Sequence, residues 1–147
     1  MSSKTIWIGI DPDVEKSGVS VWKDGVLELY NLKFFELYSK LHFWIVGANV
    51  MNRPIKVRIE AGWLNKKTNW HDEKKGIRVA SKIGSYVGAN HEVGRKIAEM
   101  CEYFKVDYEL CVPKSSKVDA ATFKKITKYE GRTNPEQRDA GILVYGL

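Results

Sequence analysis

Short β-rich apolar runs, broken by charged turns, occupy the chain up to residue 32, and from residue 34 to residue 50 the apolar positions recur close to helical spacing. Thr5 to Ile10 (TIWIGI) is a β-rich run that ends at Asp11-Pro12, and Gly18 to Trp22 (GVSVW) is a second run after a short charged turn. Lys23-Asp24-Gly25 signals a tight turn, and Val26 to Leu32 alternates well enough for a third strand. The chain is therefore expected to open with a three-stranded antiparallel meander.

Leu37, Leu41, Trp44, Ile45 and Ala48 then recur at helical spacing within Phe34 to Val50, and Asn52 to Pro54 stops the helix. Ile55 to Ile59 (IKVRI) follows as a strand ending at Glu60, and a strand reached by a helical crossover is expected to lie parallel to the first. Residues 61 to 75 have no regular period and read as an exposed loop. Gly76 to Phe104 reads as a helix interrupted by Gly84, Gly88 and Gly94, so a kink or a close packing partner is expected. Asp107 to Val112 is a short strand and Val118 to Tyr129 a basic helix. Asn134 caps a last helix that begins at Pro135 and runs through Tyr145. This order predicts an α/β fold, a mixed five-stranded sheet with helices on both faces.

At 147 residues and 44% hydrophobic content, the chain suits a single domain spanning 1–147. No apolar run is long enough to span a bilayer and no signal region opens the chain, so a soluble, cytoplasmic protein is expected. Cys101 and Cys111 form no C-x-x-C pair, which excludes a disulfide scaffold or a cysteine zinc site and leaves two reduced core residues. The net charge of +6 is concentrated between residues 61 and 132, which hold 15 Lys and Arg against 9 Asp and Glu. Such a segment either attracts a polyanion or serves as a solvated basic face.

Candidate chemistry comes from acids at element ends. Asp11 ends the first strand and Glu60 the fourth, so parallel neighbours would bring both carboxylates to one sheet edge, where they need a cation between them. Glu136 and Asp139, at i and i+3, share a face of the last helix. Each has a plainer explanation: Asp11 as a turn residue before Pro12, Glu60 as a solvent-facing strand end, Glu136 as a first-turn acid favoured by the helix dipole. Asp139 precedes an apolar run on a packing helix and is harder to dismiss. An all-carboxylate cluster suits Mg2+, and two such ions can activate a water and stabilise the leaving 3′ oxygen of a phosphodiester.

Ile8-Gly9-Ile10-Asp11-Pro12 followed by Gly18 resembles the opening signature of the RuvC-type Holliday-junction resolvases, of the RNase H-like superfamily. Ile59-Glu60 matches that family's second acid, Arg138-Asp139-Ala140 its final helix motif, and Glu136 stands at its third acid. Asp13 departs from the family's usual glycine, and Glu136 from a common Asp. The resemblance implies an RNase H-like fold, Mg2+ at two positions with Mn2+ as a substitute, and a homodimer that cuts a four-way DNA junction symmetrically. Gly84 and Gly88 are the candidate dimer contact, or else they pack on the sheet.

Two basic sets are candidates for DNA contact. Trp63, Lys66, Lys67, Trp70, Lys74 and Lys75 combine stacking surfaces with phosphate-binding charge, although one tryptophan is expected to anchor the loop to the core. Lys114, Lys117, Lys124, Lys125 and Lys128 form the second set, with Lys117 the candidate for the scissile phosphate. No phosphate-binding P-loop or serine elbow is present, and His42, His71 and His91 read as structural or solvated. The expected function is a Mg2+-dependent junction-resolving endonuclease. The alternatives are a nuclease of the same fold on other branched DNA or RNA–DNA hybrid, and a non-catalytic nucleic-acid-binding module.

Overall fold

Strand β1 (Ile6–Asp11) lies at the centre of the sheet because both of its faces are covered. In this computed structural model, which describes residues 4–64 and 77–147 and only the backbone of 77–86, the strand order is β3-β2-β1-β4-β5. β2 (Ser17–Lys23) and β3 (Val26–Leu32) complete the antiparallel meander. β4 (Ile55–Glu60) pairs parallel to β1, and β5 (Asp107–Cys111) parallel to β4. The mixed five-stranded sheet expected from the sequence, with its antiparallel meander and two parallel strands, is what the chain forms.

Register divides the sheet into two chemically different faces, since side chains alternate along a strand. Ile8 pairs with Val21 and Val57, and Ile10 with Val19 and Ile59, so these six point the same way, and all are buried. That apolar face packs under α1 (Phe34–Val50), through Leu37, Leu41 and Ala48, and under α2 (Ile77–Phe104), through Ile97 and Cys101. Burying each of these large aliphatic side chains contributes about 1.5–3 kcal/mol.

The opposite face carries Gly9, Asp11, Gly18, Ser20, Arg58 and Glu60, and α4 (Pro135–Val144) lies across it. Seating is close enough that a Cβ on Gly9 would collide with the Ala140 carbonyl, and one on Gly18 with the backbone of Glu136. The buried Ser20 hydroxyl donates to the Ala140 carbonyl at 2.7 Å, and Arg58 Nη1 to the Leu143 carbonyl at 2.7 Å. Helices thus cover both faces.

Asn134 caps α4 by accepting from Gln137 N, while Gln137 Oε1 accepts from Asn134 N; Pro135 opens the first turn, as expected. α3 (Ala120–Thr127) is shorter than its periodicity predicts. Asp119 accepts from Thr122 N and starts it, and Lys128 ends it at φ 60°. Its one buried side chain, Phe123, fills the space over Gly141 on the back of α4. Truncating Phe123 to Ala is expected to cost about 3–5 kcal/mol; a denaturation midpoint equal to wild type would show that α3 does not brace α4.

α2 is a single helix through Gly84, Gly88 and Gly94 rather than two segments. Gly94 is the close-approach position, since a Cβ there would strike the Trp63 ring and Pro12, whereas a Cβ on Gly88 meets none of the described residues. The cysteines are free, Cys101 buried and Cys111 half-buried. Among the described residues no helix is long and apolar enough to cross a membrane.

Candidate active site

Strand parity and helix position together build the site. Asp11 and Glu60 follow the residue pair Ile10 and Ile59 on adjacent parallel strands, so both carboxylates leave the sheet at one level and on the α4 side. Asp139 comes down from α4 onto the same spot. One carboxylate oxygen from each of Asp11, Glu60 and Asp139 lies within 4.8 Å of the others. Glu136, one turn earlier on α4 and half-buried, is not among these three.

The turn after Asp11 is held rigidly. Asp13 Oδ2 accepts from the backbone N–H of Glu15 and Lys16, Asp13 N donates to Ser17 Oγ, and Val14 N donates to Asn90 Oδ1 at 2.8 Å. An aspartate that folds its own turn in this way explains why this position does without glycine.

Lys117 closes the cluster. Its Nζ donates to Glu60 Oε1 at 3.0 Å and to Asp139 Oδ2 at 2.8 Å. Burial opposes its charged form, but these hydrogen bonds to Asp139 and Glu60, and their charges, outweigh that and hold its pKa well above the ordinary lysine value. Arg138, unremarked in the sequence beyond its motif, fixes the backbone behind Lys117 by donating to the carbonyls of Val118 and Thr133.

The Asp11 carboxyl is pushed up to about 10, first by burial, then by the charge of Glu60, a hydrogen bond with it, and the charge of Asp139, with Lys117 opposing. The Asp11 proton is thus held more tightly in the folded chain than in the unfolded one. Its contribution to stability is complete below the unfolded carboxylate range and is lost as pH rises toward 10. In chelator, the melting temperature of Asp11→Asn should therefore gain on that of wild type steadily from about pH 5 to about pH 9. Parallel melting curves over that range would show that Asp11 is ionised throughout.

The donor set fits a divalent cation. All three ligand groups are hard oxygens, and Glu60, 8% exposed, has a buried Oε2 to which no N–H of the described residues donates. A buried carboxylate oxygen without a donor is costly unless a cation faces it. Glu60 and Lys117 also stand between two openings. One, of about 230 Å3, is walled by Asp11, Trp63, Asn90 and His91; the other, of about 560 Å3, by Arg58, Cys111, Lys114 and Asp139.

Trp63 packs against the core beside Gly94, with the Arg95 guanidinium 5.4 Å from its ring centre, and so plays the anchoring part expected of one tryptophan. The His91 ring lies over Gly62, and burial and then the Arg95 charge lower its pKa. Lys114, Lys124, Lys125 and Lys128 are exposed. Lys66, Lys67, Trp70, Lys74 and Lys75 lie outside the described residues. Sequence reading missed Ser20 and Arg58, which seat α4; a polar residue at alternate positions of an otherwise apolar strand was the available signal.

No protein-family model and no curated protein matches the sequence. Among solved structures, Thermus thermophilus RuvC in complex with a Holliday junction substrate is similar over 97% of this chain and 90% of that one, at 14% identity and a TM-score of 0.46. A second structure of Thermus thermophilus RuvC is similar over 92% and 88%, at 18% identity and a TM-score of 0.42.

Proposed function

We propose that the chain is a divalent-metal-dependent endonuclease that resolves four-way DNA junctions as a homodimer, through paired symmetric nicks. The observation that carries the metal chemistry is the convergence of Asp11, Glu60 and Asp139, with one buried oxygen of Glu60 left without a donor among the described residues. Junction selectivity rests on the resemblance of the Gly9–Pro12, Glu60 and Arg138–Ala140 motifs, and a two-fold substrate calls for a two-fold enzyme.

Asp11, Glu60 and Asp139 would hold Mg2+ or Mn2+, with Glu136 as a fourth acid from the same helix. Bound there, the metal supplies an activated water and charge for the leaving 3′ oxygen. The protein's own part is positional. The sheet fixes two acids, α4 delivers the third, and Lys117 offers a cation to the phosphate beside them. The surplus of bases between residues 61 and 132 binds flanking phosphates, so affinity should fall steeply with salt. Trp63, Lys66, Lys67, Trp70, Lys74 and Lys75 are one set of proposed contacts, and Lys114, Lys124 and Lys125 a second. Gly88, open on α2, is proposed to face the partner protomer, together with Gly84.

Incubation with a four-way junction, a fork, an RNA–DNA hybrid and a linear duplex in Mg2+ tests this directly. Symmetric nicking of the junction is the expected result. Preference for the hybrid would move the substrate to RNA, and binding without cutting would reduce the chain to a nucleic-acid-binding module. Light scattering that finds only monomer with and without DNA would remove paired incision.

A further inference from the structure

We propose that Lys117 is a built-in counter-ion of the carboxylate cluster, which a divalent cation must displace in order to bind, so that the ammonium becomes available to a substrate phosphate only once metal is loaded. The inference rests on the metal-site reading above and adds a role in ordering events. Its basis is geometric: one ammonium spans Glu60 Oε1 and Asp139 Oδ2, oxygens of two of the three groups that would hold the metal. A divalent cation held by Glu60 and Asp139 would stand close to Nζ, which lies 3.0 Å and 2.8 Å from their oxygens, so the two charges repel each other and compete for the same two carboxylates.

The movement required is a side-chain movement. The backbone behind Lys117 is pinned on its far side, where Val118 O accepts from Arg138 Nε at 3.0 Å and Asp119 caps α3. The side chain is 57% exposed, so rotation carries the ammonium into solvent without disturbing packing. It lines both openings beside the cluster, and so faces the surface a phosphate backbone would cross. Residues that hold the same oxygens more permanently would block the metal, whereas a flexible, strongly hydrated lysine leaves readily.

Two measurements on the full-length, DNA-free protein test the exchange. Calorimetric titration with Mn2+ should show Lys117→Met binding at least about tenfold more tightly than wild type. Lys114→Met, which removes the same charge from the rim, should change affinity less than about twofold. In wild type, reductive methylation followed by peptide mass spectrometry should find Lys117 slow to react in chelator and several-fold faster in saturating Mg2+, with Lys124 unchanged. If metal binds while Lys117 stays equally shielded, or if Lys117→Met binds no more tightly than wild type, the exchange is wrong and the metal site stands. If neither protein binds metal, both readings fall together.

Discussion

Replacing Asp11 by Asn should abolish divalent-ion binding and lower strand cleavage on the order of 10^3-fold or more, yet leave the metal-free fold at least as stable as wild type. The two effects have one cause. Asp11 sits against Glu60 and near Asp139, in a place where burial and like charge push its carboxyl up to about 10. An arrangement that disfavours the lone carboxylate is one a cation would favour. An amide keeps the shape of the side chain while removing both the repulsion and the strongest part of the metal's attraction, so a gain of about 1–2 kcal/mol in chelator is expected. Asp139→Asn should lose cleavage equally without that gain, because it also weakens the 2.8 Å pairing with Lys117. Nicking assays, Mn2+ titration and thermal denaturation in chelator separate the outcomes. Cleavage within tenfold of wild type in both variants would end the metal-site reading.

Much of this site was legible before any coordinates, because strand parity is arithmetic. Counting along TIWIGI and IKVRI places Asp11 and Glu60 on one face at one level, and the parallel pairing of Ile10 with Ile59 makes them neighbours. The meander and α1 follow from alternation and helical spacing, and the residues bounding β3 and α1 lie where the pattern puts them. α3 was overread because its lysines are good helix formers, while the limits come from the Asp119 cap and the left-handed Lys128. Lys117 was one of several possible lysines. Its partners lie 57 and 22 residues away, and no local pattern encodes a contact of that span. Which tryptophan anchors the loop could not be read locally, because the neighbours of Trp63, namely Gly94, His91 and Arg95, come from α2.

Gly18→Ala should destabilise the protein by about 3–5 kcal/mol and weaken metal binding at the same time, although residue 18 itself carries no ligand group. The added methyl would meet the Glu136 carbonyl and the Gln137 N–H, which are backbone atoms of the first turn of α4 and cannot rotate aside. Either α4 lifts at its N-terminal end or β2 is pushed down. Asp139 lies one turn further along the same helix, so lifting carries it away from Asp11 and Glu60, which stay with the sheet. Displacement of about 1 Å at a catalytic group can cost on the order of 100-fold in activity. Gly47→Ala is the matched control, since a Cβ at that position within α1 meets none of the described residues and alanine is the better helix former by about 1 kcal/mol. Urea denaturation should move the two variants in opposite directions, and Mn2+ titration should be impaired in Gly18→Ala alone. A Gly18→Ala protein with wild-type midpoint and wild-type metal affinity would mean that α4 is not seated on β2, and that Asp139 reaches the cluster by some other support.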